Sequence, residues 1–166
     1  GQDTSSYDVT SQQGCPLPPL TGGTPTSLDV DDTWSDVIDL GFEFCFFGGT
    51  YSQILIGSNG VLSFEIENTG NSMGYEISSD DTLPSSTNNN IFLPFDFSTA
   101  NIYGVAQDID PSVCGEINYM VLGSSPSRQF VVNFSEVCYF SCSDFDNDLK
   151  SSSQIILYES SNTIDI

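Results

Sequence analysis

Histidine is missing from all 166 residues, and positive charge nearly so: Arg128 and Lys150 stand alone against 23 Asp and Glu, for a net charge of −21. Without imidazole the usual Ser-His-Asp and Cys-His machinery cannot be assembled, nor the usual zinc sites. Two cations cannot neutralise a run of phosphates, so nucleic acid is excluded as a partner and docking on anionic lipid is disfavoured. No apolar run approaches the ~20 residues of a spanning helix, so direct membrane insertion is not expected. No Cys-x-x-Cys pair occurs among the five cysteines, which argues against zinc and thioredoxin-like chemistry.

What is present fits an exported, folded domain. Hydrophobic residues make up 38% of the chain, ordinary for a globular protein. Five cysteines suit an oxidising, extracellular compartment. The start, Gly1-Gln2-Asp3, reads as a mature terminus left after signal removal, and Thr163-Ile164-Asp165-Ile166 breaks off within a strand-like alternation, as if the chain continued into something longer.

Residues 1–30 form an extended Pro/Gly-rich arm, because Pro16, Pro18 and Pro19 forbid a helix or a central strand. From there to residue 166 the pattern is a β domain. Val37–Leu40 leads into Phe42, Phe44 and Phe46 at period two, which places the three rings on one face and Glu43, Cys45 and Phe47 on the other. Tyr51–Ile56 and Val61–Ile66 follow, joined through Asn59-Gly60, a pair that tolerates positive φ and signals a tight hairpin. After a polar loop over 67–90, β patterning resumes at Ile91–Leu93, Phe95 and Phe97. It continues at Ile102–Ala106, Glu116–Leu122, Gln129–Val137, Gln154–Glu159 and Thr163–Ile166, with hairpin loops at 123–127 and 159–162. No amphipathic helix or repeat is evident. Short strands with regular turns predict an all-β, antiparallel β-sandwich of jelly-roll-like type.

Three acidic clusters are candidate calcium ligands: Asp29, Asp31 and Asp32; Asp108 and Asp110; and Asp144, Asp146 and Asp148. Alternating Asp in a loop converges oxygens on a hard cation, which takes six to eight of them. The third cluster opens like an EF-hand loop but has Leu149 where the turn Gly belongs and Ile155 where the closing Glu belongs, so it is not one. A carboxylate pair for glycoside hydrolysis carries no weight here, since an acidic chain offers such pairs by chance. Trp34, Tyr75, Tyr103 and Tyr119 are candidate platforms for a sugar or peptide, with core packing the competing role. Asn133-Phe134-Ser135 matches an N-glycosylation acceptor but lies inside an apolar strand.

The runs "FCFFG" (44–48), "IGSNGVLSF" (56–64), "QDIDPS" (107–112) and "QIILYE" (154–159) together resemble the N-terminal extracellular domain of large gliding-motility-associated surface proteins of Bacteroidetes, and more loosely nidogen-like domains. The resemblance covers nearly everything after residue 24. It implies a long, modular protein secreted by the type IX system, acting non-catalytically in a fibre or gliding adhesin. Its partners would be other modules of the same chain or fibre, and surface glycans; a calcium-assisted, lectin-like module is the alternative. Against the family pattern, Cys114 and Cys138 replace Gly and Pro. Both departures fall beside the hairpin around 123–127, which implies a Cys114–Cys138 bridge. Cys45 is expected to pair with Cys142, with Cys15 as the other available partner. The implied host O-glycosylates Asp-Ser/Thr-apolar sites, and Asp81-Thr82-Leu83 makes Thr82 the candidate.

Overall fold

The computed structural model describes residues 10–11, 21–75, 100–140 and 149–166. The strands read at 91–93 and around Phe95 and Phe97, together with Cys15, Thr82, Cys142, Asp144, Asp146 and Asp148, lie outside the described residues.

Ten strands are described: β1 (Thr24–Pro25), β2 (Ile38–Phe46), β3 (Gly49–Gly57), β4 (Val61–Ser63), β5 (Asn101–Tyr103), β6 (Ile109–Asp110), β7 (Glu116–Leu122), β8 (Gln129–Tyr139), β9 (Lys150–Tyr158) and β10 (Ile164–Asp165). They form two antiparallel sheets, one ordered β2-β3-β4-β5, the other β1-β7-β8-β9-β10 with β6 also paired to β8. The β-sandwich read from the sequence is therefore the fold. Ile66–Asn68 adds one 3-10 turn where the reading extended β4 to Ile66. Among the described residues no helix is long and apolar enough to cross a membrane.

β2 shows why period two decided the layering. Ile38, Leu40, Phe42, Phe44 and Phe46 are buried, while Asp39, Gly41, Glu43 and Cys45 are exposed. The buried row packs with Ile54, Ile56 and Leu62 against Phe130, Val132, Phe134, Ile155 and Leu157 of the facing sheet. Each such side chain contributes about 1.5–3 kcal/mol on burial, so this shared layer outweighs any polar contact in the domain. Phe44, Phe46 and Tyr51 stack around Phe64 with centroids 4.3–6.1 Å away. Pro25 sits on the short edge strand β1, opposite Asn118 of β7, where its missing N–H costs no ladder bond.

Both hairpins differ from the reading in an informative way. The β2–β3 turn is Phe47-Gly48, with φ 45° and 80° and Phe46 opposite Gly49, so a bulky ring occupies a left-handed position. Its edge-on contact with Phe46, 4.7 Å between centroids, helps hold it there. The β3–β4 connection is not a two-residue turn, because Gly57 pairs with Val61. Ser58, Asn59 and Gly60 fill the loop, and of the three only Gly60 takes positive φ. Asn59 is thereby turned inward.

Two links brace the domain, one across the two sheets and one within a single sheet. Arg128, on the approach to β8, pairs with Glu159 at 2.5 Å, donates to the Gly41 carbonyl on β2, and lies 5.6 Å from the Phe42 ring centroid. The guanidinium beside Glu159 holds that carboxyl down at about 2. At the other end, Cys114 and Cys138 form a disulfide with their Cα atoms 5.3 Å apart, as the family pattern implied. Cys45, expected to bridge to Cys142, instead carries a free thiol. Strand alternation sets it on the solvent face of β2, where its sulfur is 3.8 Å from Thr50 Oγ1.

The disulfide closes a span of 24 residues, for which chain entropy gives about 3 kcal/mol. A Cys114→Ser/Cys138→Ser variant is expected to unfold at lower urea concentration by that amount, with Cys45→Ser showing no comparable loss.

Candidate functional site

The tertiary fold brings two of the three acidic clusters together. Asp31 and Asp32 lie in the turn before β2, and Asp108 lies just before β6. One carboxylate oxygen from each falls within 4.8 Å of the other two. Asp29 is exposed and outside this group. Asp110, though buried, spends Oδ1 on Ser112, accepting from its N–H at 2.9 Å and its hydroxyl at 2.5 Å.

Asn59 is the device that joins the segments. Its side chain, fully buried, donates through Nδ2 to Asp32 Oδ1 at 2.7 Å and to the Gly74 carbonyl at 3.2 Å. Its Oδ1 accepts the Ile109 N–H at 3.0 Å. One amide thus pins residues 32, 74 and 109 behind the acidic surface. Asp32 takes φ 50°, a left-handed conformation that Asp tolerates, and its carbonyl accepts the Met73 N–H at 2.7 Å. Ser58 exchanges bonds with Thr33: Thr33 N–H to Ser58 Oγ at 3.1 Å and Ser58 N–H to the Thr33 carbonyl at 3.0 Å.

Under this shelf lies a second apolar cluster of Trp34, Leu55, Val61 and Met73. Trp34 is only 8% exposed and is bridged to Gly57, so its indole is anchored in the domain rather than offered to a partner. A Cβ at Gly57 would lie 2.5 Å from Met73 Sδ and 2.9 Å from Trp34 Cζ3, which is why glycine stands there. Tyr103 packs on the same cluster. Tyr119 packs on the main core beside Phe130, and Tyr75 is half-buried. Asn133 is buried and its Oδ1 accepts from Gln154 Nε2 at 3.1 Å, so its amide is not displayed for glycosylation.

Electrostatics marks the same place. Burial, then the charges of Asp32, Asp110 and Asp108, push the Asp31 carboxyl up to about 6. Burial also raises Asp32, opposed by the Asn59 hydrogen bond. Like charges are held close by the fold, and a divalent cation is the chemistry that relieves them. Asp31, Asp32 and Asp108 would supply carboxylate oxygens to a hard cation, leaving further positions to carbonyls or water.

The family model described as NIDO related matches residues 6–166. No curated protein and no solved structure matches the chain.

Two outcomes follow from this geometry. Asn59→Ala leaves the Ile109 N–H buried without its acceptor and is expected to cost about 1–3 kcal/mol in urea unfolding. Asn59→Asp, which sets a carboxylate against Asp32, is expected to cost more. Separately, Asp31 binds its proton more tightly folded than unfolded. Stability in chelator should therefore rise as pH falls through about 6 toward 4.5. Thermal midpoints across that range check this, and Asp31→Asn should flatten the rise.

Proposed function

Because the chain belongs to the NIDO-related family, we propose that it is a non-catalytic module of a secreted bacterial cell-surface protein, with a structural or adhesive role in a fibre or gliding adhesin. The observation that carries this reading is the family match across residues 6–166 on a two-sheet sandwich stapled by Cys114–Cys138. That family is not known for catalysis. The bridge suits an oxidising exterior. Transport by the type IX system, neighbouring modules of the same long chain, and a glycan on Thr82 belong to the same reading.

The second reading, a calcium-assisted module that holds surface glycans, is favoured by one observation: Asp31, Asp32 and Asp108 converge from separate segments. The burial of Trp34 takes one stacking platform away from it. In either reading calcium would lock the turn before β2 to the segment entering β6.

Beads carrying the domain should resist detachment from glass under flow better than beads carrying the reduced, unfolded chain; equal detachment would overturn the adhesive role. For the cation, calcium should raise the thermal midpoint by mass action where magnesium does not. Asp31→Asn/Asp108→Asn should abolish that rise. An unshifted midpoint in the unmodified protein would leave these carboxylates as solvated charge.

A further inference from the structure

A groove of about 290 Å³ runs between the strand β1 and the start of β2, walled by Pro25, Ser27, Asp36, Val37, Ile38 and Tyr119. Its frame is fixed by its own hydrogen bonds. Asp36 N–H donates to Ser27 Oγ at 3.2 Å, Ser35 Oγ donates to the Asp36 carbonyl at 2.8 Å and accepts Ile56 N–H at 2.9 Å, and Thr26 Oγ1 donates to the Ile117 carbonyl at 2.9 Å. The hydroxyls of Thr26 and Ser35 are thus committed to the frame, and Ser27 Oγ serves it as an acceptor.

The remaining lining has a definite character. Tyr119 stacks on Phe130, 5.7 Å between centroids, and also lines the groove. Val37, just before β2, is 38% exposed and completes the apolar lining with Pro25 and Ile38. Asp36 is exposed and forms no ion pair among the described residues. Apolar and aromatic walls beside one carboxylate match a long aliphatic stem with a cationic head.

We infer that this groove receives a lysine or arginine side chain from a basic segment of another protein. Charge complementarity selects the occupant. The chain carries a net charge of −21, so a basic partner is drawn to it and a second copy is repelled. A second copy also has no spare cation to offer, since Arg128 is held by Glu159 and Lys150 lies 3.6 Å from Glu136. The inference deepens the adhesive reading by naming a partner class, and it does not involve the acidic site at Asp31.

The probe is acetyl-Gly-Arg-Val-Arg-Gly-amide, titrated into the ¹⁵N-labelled 166-residue chain in chelator, with a Gln-for-Arg peptide as control. Saturable amide shifts should cluster at Ser27, Val37 and Tyr119 for the Arg peptide alone and weaken with salt. Asp36→Asn should reduce affinity about two- to fivefold, and Val37→Ser should also weaken it; a dispersed spectrum verifies that each variant is folded. Equal binding of the Gln peptide, non-saturating shifts spread over the acidic surface, or an unchanged Asp36→Asn variant would overturn the inference. So would a neutral oligosaccharide that shifts the groove where the Arg peptide does not. Because calcium is absent and no surface is involved, failure here leaves the detachment and calcium experiments to judge the module reading on their own.

Discussion

A chain with 23 carboxyl groups and two basic side chains must fold against its own charge. Ion pairing cannot do this. Its two cations are already used: Arg128 pairs with Glu159 beside it on the same sheet while reaching across to β2, and Lys150 lies beside Glu136 at the surface. Cohesion comes from the apolar layer between the sheets, where Phe44, Phe130, Phe134, Leu40 and Ile54 are wholly enclosed. The acids stay outward because strand alternation puts them there, as Asp39 and Glu43 show on β2. The sandwich is thus a means of separating carboxylates from a core and from one another.

Among the described residues that separation gives way where three carboxylates meet. Asp31, Asp32 and Asp108 are pressed together by a neutral amide, the buried side chain of Asn59. An amide suits this task because it donates to a carboxylate and accepts from a backbone N–H at once, while adding no charge. The disulfide works on the same region from the far side. It ties the loop after β6 to β8, opposite which Asp110 already pairs with Cys138. The acidic surface is therefore supported by a covalent staple and a hydrogen-bonded hub, so its carboxylates cannot simply drift apart.

The groove by β1 shows a different balance. There the hydroxyls are spent within the frame, and exposed apolar surface stands beside a single acid. The Asp31 site holds charge under constraint; the groove, a few residues further along the chain, offers a cation an apolar wall and a counter-charge.

Much of this was legible in the residues. Period two in Phe42, Phe44 and Phe46 determined which face of β2 is buried, since a pleated strand alternates by geometry alone. Composition alone excludes histidine chemistry, since the chain has no histidine. The departures at Cys114 and Cys138 pointed to their bridge because hairpin pairing constrains distance. Other features were decided only in three dimensions. The sequence marks Asn59-Gly60 as a turn, but whether two or three residues form the loop depends on register, and that register sends the Asn59 side chain inward. Trp34 sits among polar neighbours and still is buried, because Met73 and Gly57 arrive from other segments to cover it. The meeting of Asp31 with Asp108, far apart along the chain, could not be read locally either. Local pattern fixes which way a side chain points; only long-range packing fixes what it points at.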